Sequence, residues 1–386
     1  MDKKNFDNQL RRQCLSLPAM CEDQLTGFKK GIDATIPRET LRDIRKVILT
    51  GCGDSYLAAR AAVPAFQKYA GAFASSFEAH RCIDVARKMT FDPKYASSTL
   101  LIAISASGGP ARVEEALRRA KHHGCKTLLI TNAPDSDGAK AAEYTMIVNT
   151  PEFPEFGPGL RNYYASLGGL FSIAAYMGEA KGLQREGTLE ALFDAIRTYT
   201  GEFAKALPKL DEQAFETAVA WKDNVAVEAI GDYTDFASAY FISAKFVEVA
   251  GMLAATTDSE NWCHVNYFAH DPAHIGTVVV STKRLANFGR VKETMMTVGG
   301  IGRPAFLITT GTKEDYLVGD AVTVCTVPEA PGDFGFIEPM LNYIPGALLA
   351  SYAAALKDEP YFRAADSIHK TSACGHTVKS SKIVIL

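Results

Sequence analysis

Two short stretches of this chain combine glycine with hydroxyl residues in a way that suits an oxyanion. One is Gly51-Cys52-Gly53-Asp54-Ser55 and the other is Ser105-Ala106-Ser107-Gly108-Gly109-Pro110. Glycine lets backbone N–H groups come close to a ligand, and serine adds donors with little bulk. Pro110 suits the first turn of a helix, where the N–H it lacks would go unpaired anyway. The plainer use of such residues is a tight turn with a capping serine. What raises these two above that is their shared context, since each closes an apolar run, Lys46 to Thr50 and Leu100 to Ser105. Neither matches a P-loop or a G-x-G-x-x-G fingerprint, so a nucleotide is not the expected ligand. Further along, His270 and His274 have the four-residue spacing of a helical metal pair, close to Cys263 and His264. Asp271-Pro272 interrupts that stretch, and no metal or cofactor is expected.

The elements that must position these loops follow from the hydrophobic pattern. Short apolar runs (Lys46–Thr50, Leu100–Ser105, Lys126–Thr131, Tyr144–Asn149) alternate with helix-period stretches such as 56–69 and 112–122. Continuous apolar strands separated by helices predict a parallel sheet covered on both faces, an α/β doubly wound fold. In such a sheet ligands bind at the carboxyl ends of strands, where helix N-termini bring unpaired N–H groups. The same order then returns. Val225–Ile230 precedes Gly231 as the first run precedes Gly51, and Thr277–Ser281, Ala305–Thr309 and Val322–Cys325 answer the later runs. The offset stays between roughly 174 and 180 residues, so the chain holds two copies of one α/β unit. Residues 1–45 read as leading helices on the first copy, 46–200 as the first domain and 215–386 as the second.

Bulk properties narrow the function classes. With 386 residues, 47% of them hydrophobic, there is ample material for two cores. A formal charge of -3 with no basic block gives no footprint for nucleic acid or a membrane surface. No signal peptide or membrane-spanning run is expected. The eight cysteines, Cys14, Cys21, Cys52, Cys82, Cys125, Cys263, Cys325 and Cys374, form no Cys-x-x-Cys pair. They read as free thiols in a reducing cytoplasm.

The pattern Gly-x-Gly-x-Ser-Tyr after a first strand, with Ser-x-Ser-Gly after a later one, resembles the SIS (sugar isomerase) domain of phosphosugar isomerases. The whole chain after the leading helices is similar to the isomerase half of glucosamine-6-phosphate synthase and to stand-alone fructosamine-type deglycases. The resemblance implies two tandem flavodoxin-like, doubly wound SIS domains, a small sugar phosphate as ligand, and a homodimer with shared active sites. It implies that Cys52, Gly53, Asp54, Ser55, Ser105, Ser107 and Gly108 line the sugar-phosphate site. In the second copy it singles out Lys245 and Glu248, three apart on one helix, then Glu260 and His264. By resemblance Glu248 moves a proton between sugar carbons or onto the leaving nitrogen. His264, expected in the loop after the next short strand, assists ring opening, often in the neighbouring subunit's site. The family's C-terminal lysine is best matched by Lys382, with Lys379 as rival. A carboxylate base and an imidazole donor suit an acidic C–H on an open-chain sugar, and a lysine can form an imine.

The sequence also departs from the synthase pattern. Asp54 stands where a threonine precedes the loop serine, Ala106 where a glutamine lies between the serines, and Pro110 where a threonine follows. Phosphate-facing groups are lost and a carboxylate gained, which favours a substrate with an amino group. Met1-Asp2 offers no N-terminal cysteine, so glutamine-dependent synthesis is not expected. The expected activity is a deglycase or deaminase acting on an amino-substituted sugar phosphate. Aldose–ketose isomerisation and a non-catalytic sugar-phosphate sensor are the alternatives.

Overall fold

A computed structural model of the chain describes residues 1–71, 76–155, 157–319, 321–359 and 377–385; Cys374 lies outside them. Two five-stranded, all-parallel sheets form. The first contains β1 (Lys46–Gly51), β2 (Phe77–Arg81), β3 (Thr99–Ile104), β4 (Lys126–Thr131) and β5 (Tyr144–Ile147), in the order β2-β1-β3-β4-β5. The second contains β6 (Ala226–Ile230), β7 (Leu253–Thr257), β8 (Ile275–Ser281), β9 (Ala305–Thr309) and β10 (Val322–Thr326), in the order β10-β9-β8-β6-β7. Read from the other edge, the second order is 2-1-3-4-5 again. The repeat seen in the sequence is therefore a repeat of topology, and the flavodoxin-like arrangement holds for both sheets.

The reason lies in burial. Every residue of β3 and of β8 is buried, so these central strands must be apolar on both faces, as their Leu, Ile and Val content provides. The helix Ala111–His122 lays Val113, Ala116, Leu117 and Ala120 against Ile48, Leu101 and Leu129 of the first sheet. Leu117 is fully buried, and trimming it to alanine would cost about 2–5 kcal/mol. In the second sheet Val291, Met295 and Val298 of the helix Phe288–Gly300 pack on Ile230, Val279 and Leu307, with Trp262 beside them. The edge strands are different: β2 and β7 are mostly half-buried or exposed. That explains why Phe77–Arg81, with Glu78 and His80 among its residues, carries no continuous apolar run. β5 stops at Ile147 rather than Asn149, because Asn149 turns the backbone to φ +50.

The chain resolves into two compact units that do not follow its linear division. The unit of the first sheet comprises Met20–Glu152, Arg161–Arg197 and the C-terminal residues from 376. The unit of the second sheet comprises Met1–Ala19, Phe153–Leu160 and Thr198–Gly375. Residues 1–45 were expected to pack as one on the first copy, yet the first nineteen belong with the second sheet. Their ties are specific: Arg11 Nη2 lies 2.8 Å from the buried Asp211, and Asn8 donates to the Ser351 carbonyl at 3.0 Å. The C-terminal tail, assigned by linear order to the second copy, belongs with the first sheet.

Candidate active site

In a 2-1-3-4-5 sheet the connections from β1 and β3 leave in opposite directions, which opens a crevice at their carboxyl ends. Both glycine–serine loops sit at that point of the first sheet. Gly51 is needed there because a Cβ would come within 2.6 Å of the Ser55 Cβ as the helix Asp54–Ala70 begins. Cys52 and Gly53 are exposed, while Asp54 and Ser55 are half-buried. After β3, Ser105 is buried, and its hydroxyl accepts the Gly108 N–H at 3.1 Å. Gly108 adopts φ +58 with its Cα tight against Ser136, whose Oγ would lie 2.0 Å from any added Cβ. Ser105 thus shapes the turn, and the exposed Ser107 hydroxyl is the group it presents. Asp54 acts inward as well: after burial, its charge is the second cause pushing the Tyr163 phenol well above its usual range.

The tail completes this loop. Val378 accepts the Ala111 N–H at 2.8 Å at the start of the second-loop helix. Lys379 runs alongside Gly109, where a Cβ would meet its Cε at 3.4 Å. Lys382 is exposed and is held through its carbonyl by Arg87, at 3.2 Å, and by Arg112. Of the two candidate lysines, Lys379 is therefore the one lying on the serine loop. Sequence reasoning missed the anchor beneath the tail. Glu115 is fully buried, pairs with Arg87 at 2.9 Å and with Arg112, and accepts the Val384 N–H at 2.7 Å. A lone Glu in the middle of a helix carries no sequence signal of such a role.

The equivalent crevice of the second sheet is built on the same plan but filled. Gly231 ends β6 as Gly51 ends β1, and a Cβ there would meet the Asp235 carbonyl at 2.5 Å. Beyond it Asp235, 1% exposed, accepts the Thr282 N–H at 2.6 Å and the Thr282 hydroxyl at 2.8 Å. Asp232 takes the Ser259 N–H at 3.0 Å. The chain's own carboxylates thus occupy donors that an oxyanion would use. Burial pushes Asp235 up to about 6, and the nearby Glu338, also buried, up to about 7. Neither aspartate was anticipated as a plug.

The second-sheet unit also carries the expected acid–base residues. The helix Asp235–Ala250 follows Gly231 and bears both Lys245 and Glu248. The Lys245 side chain is 1% exposed, and its Nζ lies 2.7 Å from Oε2 of Glu248, itself 35% exposed. The ammonium also sits 4.4 Å from the centre of the Phe241 ring. A buried cation fixed on one side thereby orients a carboxylate that faces solvent on the other. His264 is not in a loop; it closes the helix Ser259–His264, whose Asp258 cap fixes the first turn. Its Nε2 lies 2.8 Å from Glu260, and Glu260 also meets Arg290 Nε at 2.7 Å. The hydrogen bond to His264, ahead of the Arg290 charge, holds the Glu260 carboxyl below its usual range. The structure thus joins Lys245 to Glu248 and Glu260 to His264. His270 and His274 do not form a helical pair: Asp271 turns to φ +57, and His274 bonds to it at 2.9 Å.

Comparison with known proteins fits this architecture. Residues 40–175 match the SIS domain family. A glutamine–fructose-6-phosphate aminotransferase (isomerizing) of Tropheryma whipplei is 22% identical over 374 residues, 92% of this chain and 57% of that protein. The C-terminal domain of glucosamine-fructose-6-phosphate aminotransferase from Francisella tularensis superposes with TM-score 0.78 at 16% identity, over 92% of this chain and 97% of that one. A glucosamine-6-phosphate deaminase from Thermotoga maritima does so with TM-score 0.64 at 14% identity, over 92% and 97%. The chain has the doubled parallel-sheet fold of these structures, and the match to the SIS domain falls on its first sheet, residues 40–175. The chain spans little more than half the length of the aminotransferase it matches. Among the described residues no helix is long and apolar enough to cross a membrane.

Proposed function

We propose that the chain is a deglycase or deaminase that splits an amino-substituted sugar phosphate in its open-chain form. The observation that carries this reading is the contrast between the two sheets. The crevice after β1 and β3 offers Gly53, Ser55 and Ser107, whereas its counterpart is taken up by Asp232 and Asp235. An anionic ligand therefore belongs on the first sheet, held by hydroxyls and helix N-terminal N–H groups. Asp54 beside it favours a cationic nitrogen on the same ligand, because a partly buried carboxylate next to a phosphate is costly without a positive partner.

In this account Glu248 removes the acidic C–H next to the carbonyl and returns a proton to the neighbouring carbon or to the departing nitrogen, and one water adds to the carbon that loses nitrogen, so that free amine and sugar phosphate leave. Lys245 is a positioning residue that holds and aims the carboxylate. His264, set by Glu260, transfers the proton that opens the ring. Lys379 or Lys382 supplies a cation from the tail. The names of the aminotransferase and deaminase relatives point to amino-sugar phosphates, which supports this class. Calorimetric titration with a hexitol 6-phosphate tests the site. Binding to the wild-type chain should weaken by about tenfold or more in Ser107→Asp, where like charges meet. Unchanged affinity in that variant would put the phosphate elsewhere.

A further inference from the structure

The first loop carries a thiol, and a second thiol stands beside it. Gly51 of β1 is in register with Arg81 of β2. Cys52 and Cys82 are the residues that follow these two paired strand ends, Cys82 opening the helix Cys82–Arg87. Neighbouring strands lie about 4.8 Å apart, inside the ~4.4–6.8 Å Cα separation that a disulfide spans. The two thiols are near enough to perturb each other. Their surroundings are unequal. Cys82 is 2% exposed and donates to the Arg112 carbonyl at 3.1 Å. Cys52 is exposed and lines a cavity of about 780 Å³ with Ile83, Arg87 and Arg112.

The neighbouring Cys82 thiol, with the Arg112 charge behind it, lowers the Cys52 thiol, while Cys52 and burial raise Cys82. The other described cysteines differ in that Cys14, Cys21, Cys125 and Cys325 are buried and Cys263 is half-buried against Thr294. Thiolate character and access govern thiol reactivity, and Cys52 combines the two.

We propose that Cys52 and Cys82 form a thiol modification site, an attacking thiol and its resolving partner, that closes to a disulfide on meeting a low-molecular-weight disulfide. Cys52, as thiolate, attacks one sulfur of that reagent, breaks its S–S bond and releases one small thiolate. Cys82 then gives up its proton and attacks the Cys52 sulfur, expelling the second small thiolate. Two protein thiols are oxidised, one reagent disulfide is reduced to two thiols, and no other reactant is needed. The product ties Cys52 to the end of β2 and so restrains the backbone of the first loop.

The reduced full chain is treated with oxidised glutathione and read by intact mass and peptide mapping. The expected product is two hydrogens lighter, with the Cys52 and Cys82 peptides linked and the change reversed by dithiothreitol. In Cys82→Ser a glutathione adduct should persist on Cys52. Iodoacetamide should label Cys52 of the untreated chain about tenfold or more faster than Cys263. The proposal is overturned by a lasting adduct on Cys52 in the wild type, by linkage of Cys52 to another cysteine, by no reaction, or by equal labelling of Cys52 and Cys263. None of these readouts depends on which sugar the chain acts on.

Discussion

Replacing Glu248 by glutamine separates two roles of that carboxylate. Its Oε2 lies 2.7 Å from the Nζ of Lys245, whose side chain is 1% exposed, while Glu248 is 35% exposed. Two unit charges at about 4 Å in an effective dielectric of ~20 interact by about 4 kcal/mol. One partner is more than a third open to water and the glutamine oxygen can still accept the bond, so a loss of about 1–2 kcal/mol is expected. For a unit of this size that is a fall in melting temperature of roughly 2–8 °C. The variant should remain folded. Its turnover of an amino-substituted sugar phosphate should nevertheless drop by about 10²–10⁴, since the shape survives and the base does not. Substrate affinity should change little, because the missing interaction belongs to the transition state. Thermal melts, calorimetry and amine release measured on one preparation separate these effects. Turnover within about threefold of wild type, in a variant whose melting point falls as expected, would refute the assignment of Glu248.

Further outcomes follow from the same geometry. His264→Ala should lose activity comparably, with partial relief on substrates that are already open-chain, and Glu248→Gln/His264→Ala should be little worse than either alone; additive losses in steady-state kinetics would separate the two residues. Asp54→Thr should strengthen binding of plain hexose phosphates and weaken binding of amino-substituted ones; equal changes by calorimetry would make Asp54 a structural cap facing Tyr163. Asp235 and Glu338 have folded pKa values raised to about 6 and about 7, so the folded state binds protons that the unfolded chain releases. Stability should therefore fall between about pH 4 and pH 7 on their account, and Asp235→Asn/Glu338→Gln should flatten that slope in melts across the window. A homodimer with shared sites predicts dimer mass by light scattering, and a fully active monomer would remove the basis for sharing.

Much of this was legible in the residues. Strands such as β3 and β8 are buried on both faces and so betray themselves as apolar runs, and the glycines at 51 and 231 mark where each sheet's first helix packs on its strand end. β2 was invisible because an edge strand needs only a partial apolar face. The placement of residues 1–19 was also hidden, because it rests on distant pairs such as Arg11 with Asp211. Within the site, loops anchored by local turns could be read directly. The Glu115–Arg87–Arg112 cluster and the Asp235 plug could not, since each depends on partners from separate elements. The same holds for the Cys52–Cys82 pair, thirty residues apart in sequence and adjacent only through strand register. His264 shows the reverse limit: its identity was legible but its setting was not, because the six-residue helix that carries it begins at the Asp258 cap.

Direct product analysis tests the proposed cleavage of a carbon–nitrogen bond in an amino-substituted sugar phosphate. The purified chain is incubated with a 6-phosphorylated fructosamine, and free amine and sugar phosphate are quantified together. The account predicts that the two appear in equal amounts, at a rate that collapses in Glu248→Gln. Binding of that compound without release of its amine, or conversion of plain aldose and ketose phosphates with no carbon–nitrogen cleavage, would contradict it.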